Sequence, residues 1–263
     1  MPAPLQDLST ASLLAIFAHP DDESLACGGL LTWCTEVGAR VSLLCLTHGE
    51  HGPGHEDDGL RDIRASELQE ASRILGIHDV VVLDHEDGML PWIDKTLLEA
   101  DILRAIHRLQ PHLVVTFDED GLYWHPDHVA VHERVSTVVA GLGTSAPALY
   151  YVSMPAGAMR SVAEAASSHR DRPPGPMLGV SDPDAFGSMA PAPTLIADVG
   201  RFADRKLNAL RCHQSQVEGT ALDDLDERDA ARFLGTEHYR RADVGSRADV
   251  FIERLGIPVS SGG

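Results

Sequence analysis

The chain has 263 residues, 43% hydrophobic and 23% charged, enough apolar material for a full core, which excludes disordered, fibrous and disulfide-scaffold classes. Forty Asp and Glu against 21 Lys and Arg leave a formal charge of -19. Unaided binding to nucleic acid or to an anionic membrane is therefore not expected, because both need cationic surface facing phosphate.

Cys27, Cys34, Cys45 and Cys212 form no CxxC pair and read as buried thiols in a reducing compartment. The N-terminus lacks a basic region, and the first apolar run, 13–18, is too short for a signal segment or a membrane span. A soluble, cytoplasmic protein acting on a small molecule is expected, with a homo-oligomer left open.

In chain order, the apolar runs 12–18, 41–46, 80–83 and 113–117 have the length and continuity of strands covered on both faces. Segment 60–75 carries a helical pattern and stops at Gly76, where a left-handed C-cap would sit. Asp94 is an N-cap candidate, after which Leu98, Ile102, Ala105, Ile106 and Leu109 recur at helical spacing until Pro111 ends the run. Strands alternating with helices predict an α/β fold, a Rossmann-like three-layer sandwich around a mostly parallel sheet.

One domain over 1–263 is expected, interrupted by a Pro/Gly/Ala/Ser-rich insertion at about 155–194. Pro173-Pro174-Gly175-Pro176 and Pro191-Ala192-Pro193 break it, and only 159–168 has helical character. A connection this long tends to be a lid, an oligomer contact or a mobile insertion. Segment 195–199 then resumes as a strand and 201–212 as a helix, and the terminal Ser-Ser-Gly-Gly is expected to fray.

Two clusters carry chemistry, and each follows a predicted strand: Ala18-His19-Pro20-Asp21-Asp22-Glu23 after the first and His125-Pro126-Asp127-His128 after the fourth. In an open α/β sheet, groups just past the carboxyl ends of the strands line the ligand crevice, so the clusters can converge. His19, Asp22 and His128 would supply two imidazoles and a carboxylate to one divalent ion per chain, zinc or alternatively iron, with positions left open as hydrolytic sites require. Asp21, beside a ligand, is the candidate base. His125 and Tyr123 are candidates for acid or oxyanion roles, and Asp127 for a carboxylate orienting an imidazole. Taken singly, each cluster is also an ordinary turn with a charged first helical turn; their pairing on one sheet edge is what favours the metal.

These segments, with Arg64-Ala65-Ser66-Glu67-Leu68 and Thr47-His48-Gly49-Glu50 between them, resemble the LmbE-like (PIG-L) family of zinc-dependent N-acetylglucosaminyl de-N-acetylases. The resemblance spans roughly 19–132, weaker to about 216. It implies an LmbE-like fold and hydrolysis of an acetamido group on an amino sugar, releasing acetate. It also implies metal ligation by His19, Asp22 and His128, base catalysis by Asp21, transition-state roles for His125 and Tyr123, orientation by Asp127, and a substrate contact from Arg64.

Arg64 has a plainer reading as the i,i+3 partner of Glu67 on a charged helix face. Glu50 is a substrate-contact candidate in a glycine-rich loop whose backbone can approach a sugar ring, and Trp124 is a candidate to pack on a sugar face. His48, His51 and His55 raise a second metal site against a plain reading as loop histidines. His213-Gln214-Ser215-Gln216 is expected in a structural or outer-pocket role, and Cys27 and Cys34 in the core. No GxGxxG or GxxxxGK[ST] follows the first strand, which disfavours a nucleotide cofactor.

Three rival readings stand. An amidase of a larger acyl or thiol conjugate would share the centre and differ in the 155–194 walls. A 2-His-1-carboxylate iron oxygenase has the same ligand formula, but on a different fold. A non-catalytic sugar-binding protein would have no use for Asp21.

Overall fold

A computed structural model describes residues 8–53, 59–168, 175–248, 250–254 and 256–258. The first half runs β1 (Ser12–Phe17), α1 (Asp22–Glu36), β2 (Arg40–Thr47), α2 (Leu60–Leu75), β3 (Asp79–His85), α3 (Lys95–Leu109) and β4 (Leu113–Phe117). A one-turn helix α4 (Gly121–Trp124) leads into α5 (Pro126–Gly141), followed by β5 (Ala148–Ser153) and α6 (Ala158–Ser167). The chain closes with β6 (Leu195–Asp198), α7 (Ala203–Cys212), α8 (Gln214–Val217), β7 (Thr236–Gly245) and β8 (Gly256–Pro258).

The sheet order is β3-β2-β1-β4-β5-β7-β6-β8. The first five strands are mutually parallel, and β7, β6 and β8 extend the sheet by antiparallel pairing. Helices α1, α2 and α7 pack together on one face and α3 with α5 on the other, which is the expected three-layer sandwich. No helix among the described residues is long and apolar enough to cross a membrane.

Local chemistry explains the boundaries. Asp94 caps α3 by accepting from the Thr96 N–H at 2.9 Å, and Gly76 ends α2 at φ 79°, conformations the two residue types favour. β1 and β4 are buried along their whole length, as continuous apolar runs demand, whereas β3 is only half-buried because it is the edge strand of the sheet. Cys27, Cys34 and Cys45 are buried free thiols. Helix α1 kinks at Cys27 (φ -146°), and the carboxylate of Glu237 on β7 accepts the Gly29 and Leu30 N–H groups at 2.8 and 2.9 Å that the kink releases.

What positions the site is a topological switch. β1 leads to β2 on one side, while the chain returns after β3 to lay β4 on the other, so a crevice opens where the carboxyl ends of β1 and β4 diverge. The Phe17 and Phe117 rings at those ends meet edge to face, centroids 4.9 Å apart, and Phe117 in turn stacks on His128 at 3.9 Å and 7°. Within the insertion, α6 matches the expected helical stretch, and the Gly187 N–H donates to the Leu122 carbonyl at 2.7 Å, seating the later part of the insertion against the α4 turn.

Candidate metal centre and active site

The His19–Glu23 and His125–His128 clusters converge at this crevice. His19 and Asp22 follow β1, and His128 stands in the first turn of α5; all three are buried. His19 Nδ1 lies 3.1 Å from His128 Nε2 and 3.5 Å from Asp22 Oδ2, and His128 Nε2 lies 3.2 Å from Asp22 Oδ1. Donor atoms about 2.0–2.1 Å from a tetrahedral zinc sit roughly 3.3 Å from one another, so the triangle has the size of an ion's ligand shell.

The opposite ring nitrogens decide what those atoms are. His128 Nδ1–H donates to the Gly121 carbonyl at 3.0 Å, which leaves Nε2 as a lone pair. His19 Nε2 faces Asp87 Oδ1 at 3.0 Å and Asp127 Oδ2 at 3.2 Å, so its hydrogen belongs there and Nδ1 is likewise a lone pair. Two lone pairs and a carboxylate converging on one point need a cation between them. Burial opposes charge on His19, but bonds to Asp127, Asp22 and Asp87 outweigh it and raise its pKa well above the usual value. Burial also raises Asp22, yet the charges and bonds of His128 and His19 bring it down to about 2, and burial drives His128 down to about 3. The donor set therefore fits a divalent ion. His19, His125 and His128 also bring ring nitrogens within 4.8 Å of one another, as do the ligand atoms of His19, Asp87 and Asp127. The second carboxylate pair is less suited to a metal, because Asp127 is already engaged by the Gly88 and Leu90 N–H groups at 2.8 and 3.1 Å.

Beside the triangle lies a cavity of about 290 Å³ lined by His19, Asp21, Arg64, Asp87, Tyr123, His125 and Gln216, with Pro53 and the insertion's Leu178, Gly179 and Val180 forming an apolar wall. Asp21 adopts φ 115°, a conformation rare for an L residue, and its carboxylate Oδ2 accepts from Arg64 Nη2 at 2.9 Å. Burial pushes the Asp21 carboxyl up to about 7, against the opposing pull of Arg64. Burial likewise raises the Tyr123 hydroxyl well above its usual value. His125 caps α5, its ring 4.7 Å from those of both His19 and His128, and burial followed by the His19 charge lowers its pKa. Left-handed backbone recurs at Leu122 (φ 67°) and Trp124 (φ 65°), so strain gathers around the crevice.

Several residues sit differently from expectation. Arg64 is not the partner of Glu67: it is buried and bonds Asp21, the Pro20 carbonyl at 2.5 Å and the Gly49 carbonyl at 2.8 Å, while Glu67 accepts from the Ser215 N–H and hydroxyl, both at 2.7 Å. The helix turns that face toward the site because its opposite face is the solvated one. The imidazole that Asp127 faces is that of His19, at 3.2 Å. Glu50 does not line the cavity; its carboxylate accepts the Asp87 N–H at 3.0 Å. Trp124 also stays out of it, 52% exposed, because its left-handed backbone turns it away from its cavity-lining neighbours Tyr123 and His125. His48 bonds Asp84 at 3.2 Å, His51 Nδ1 bonds the Asp87 carbonyl at 2.9 Å, and His55 lies outside the described residues. The sequence reading missed Asp87 altogether; its one available signal was a position just beyond a strand end, followed by glycine.

A family profile described as "GlcNAc-PI de-N-acetylase" (PIG-L) matches residues 14–139. A 1D-myo-inositol 2-acetamido-2-deoxy-alpha-D-glucopyranoside deacetylase from Nakamurella multipartita is 33% identical over 239 residues, covering 79% of this chain and 80% of the relative. The chain belongs to the PIG-L, or LmbE-like, family. Among solved structures, N,N'-diacetylchitobiose deacetylase from Pyrococcus horikoshii superposes with a TM-score of 0.63 at 19% identity, covering 91% of this chain and 87% of that one. A 4-carboxy-2-hydroxymuconate hydratase from Pseudomonas putida gives 0.61 at 17% identity, covering 91% and 99%. Both similarities speak for the LmbE-like fold; since the fold also carries a hydratase, the reaction has to be argued from the site.

Proposed function

We propose that this chain is a metal-dependent hydrolase that removes the N-acetyl group from an N-acetylglucosamine-containing small molecule, releasing acetate. The observation that carries the reading is the triangle of His19 Nδ1, His128 Nε2 and Asp22, three acceptors converging beside a cavity into which a raised-pKa carboxyl, Asp21, also opens. The relative's name supports the amino-sugar substrate. About 290 Å³ lies at the small end of ligand pockets, which suits one sugar ring better than a bulky acyl chain.

His19, Asp22 and His128 would hold the ion, zinc being favoured by the two-imidazole, one-carboxylate set and iron(II) compatible with it. Lewis acidity at that position would polarise the acetyl carbonyl and bring the pKa of water to about 7. Asp21, poised close to neutrality, takes the proton of the attacking water. The Tyr123 hydroxyl, kept protonated by burial, and His125 face the developing oxyanion, where one donor is worth about 10²–10³ in rate. Asp21 or His125 then returns a proton to the amine as the carbon-nitrogen bond breaks. Asp127 and Asp87 hold His19 in the required tautomer, and the wall of Pro53 and Leu178–Val180 excludes water.

The test is acetate release from N-acetylglucosamine, N,N'-diacetylchitobiose and 1D-myo-inositol 2-acetamido-2-deoxy-α-D-glucopyranoside, with metal content measured on the same sample. Metal-dependent release from at least one is expected and should fall about 10²–10⁴-fold in Asp21→Asn with the metal retained. Hydrolysis unaffected by metal removal, or full activity in Asp21→Asn, would overturn the assignment.

A further inference from the structure

The backbone of Asp21, at φ 115° and ψ -28°, is strained and persists only where its surroundings over-determine it. Arg64 secures two points, the Asp21 carboxylate and the Pro20 carbonyl. A third restraint acts on the peptide itself: the Asp21 N–H donates to Glu23 Oε2 at 3.0 Å. Glu23 is 1% exposed, and its other oxygen accepts from the Ser24 hydroxyl at 2.5 Å and faces His213 Nε2 at 2.9 Å.

His213 comes from the turn between α7 and α8, 190 positions later, and is fully buried. Its own backbone is fixed: the N–H donates to the Leu210 carbonyl at 3.1 Å, and its carbonyl accepts from Gln216 and Val217, both at 2.9 Å. A continuous line of bonds thus runs from the last long helix, through His213 and Glu23, to the peptide of Asp21. Neither Glu23 nor His213 lines the cavity.

We propose that the buried His213–Glu23 pair is a positioning device that holds the Asp21 peptide in its left-handed conformation and so aims the Asp21 carboxylate at the reacting water. This rests on the base role of Asp21 proposed above. A buried carboxylate needs a partner to stay in one orientation; His213 supplies it, and Oε2 is thereby kept turned toward the Asp21 N–H. Without that acceptor the peptide is free to relax toward negative φ, carrying the carboxylate off line, and a misplacement near 1 Å can cost about a hundredfold.

The experiment is a set of coupled variants assayed with the substrate found in the acetate screen. His213→Leu removes the donor at similar size and is expected to lower kcat about 10–100-fold, with KM changed less than about twofold, and metal content to stay at the wild-type level. His213→Gln, which retains an N–H donor, should recover most of the loss. In an Asp21→Asn background, His213→Leu should change the residual kcat less than about twofold, because residues acting as a unit are not additive. Equal losses in both backgrounds, or no rescue by His213→Gln, would mean a merely structural role and overturn the proposal. Full activity of Asp21→Asn would instead bring down the base assignment, and this inference with it. Should His213→Leu fail to fold, Glu23→Gln, which keeps shape and an acceptor while losing the charge, gives the same comparison: coupling to Asp21→Asn supports the device, additivity refutes it.

Discussion

Asp127→Asn separates the metal reading from a purely architectural one. Asp127 is 0% exposed, and its two oxygens accept from Gly88 N–H (2.8 Å), Leu90 N–H (3.1 Å) and His19 Nε2 (3.2 Å). Asparagine keeps one carbonyl oxygen and turns an NH2 toward donors, so at least one buried N–H is stranded, a loss of about 1–3 kcal/mol. For a chain of this size, 2 kcal/mol corresponds to a fall in Tm of about 4–8 °C. Separately, His19 loses half of the pair that fixes its tautomer, and carboxylates in that position are typically worth 10–100-fold in metal affinity, about 1.4–2.7 kcal/mol. Chelator competition for zinc, together with melting curves of the metal-free and metal-loaded protein, reads the two effects independently. A Tm loss in the metal-free protein with unchanged zinc affinity would show that Asp127 only clips the 87–90 loop, and the orientation argument would fail.

Other substitutions have outcomes as definite. His128→Ala removes one corner of the triangle and should bind zinc far more weakly; stoichiometric zinc in the purified variant, by elemental analysis, would move the centre elsewhere. Lys206 and Glu237, both 3% exposed, pair at 2.6 Å, so Glu237→Ala leaves an unpartnered buried ammonium and two released helix N–H groups and should cost about 3–5 kcal/mol in denaturant unfolding. Lys206→Met leaves Glu237 with the Gly29, Leu30 and Tyr239 donors and should cost less than half as much; equal costs would contradict this division. Gly187→Ala would place a Cβ 2.0 Å from the Met154 carbonyl oxygen at φ 68°, so the insertion must lift from the Leu122 turn; a drop of several degrees in Tm is expected, and a neutral result would show that this contact yields easily.

The two HPD clusters were legible because a ligand set is a matter of residue type and of position after a strand, and both are local properties. Their partners were not. Arg64 reads in sequence as one charge among several on a polar helix, and only the docking of α2 against α1, α7 and α8 turns it toward Asp21 and away from Glu67. β7 reads as polar, TEHYRRADVG, because the side chains it buries include Glu237, which is satisfied by α1 and α7 as well as by its strand neighbour Tyr239. β3 reads like β1, although one lies at the sheet edge and the other at its centre.

Hydrophobic continuity, capping residues and breakers determined the alternating strands and helices, the parallel first half and the sites where chemistry would gather, since each depends on neighbours within a few residues. Which nitrogen of His19 faces Asp22 and which faces Asp127, that Trp124 turns outward, and that His213 reaches back to Glu23 were decided only when distant segments packed. Hydrogen-bond direction and burial are properties of the space between elements, and that space exists only in the folded chain.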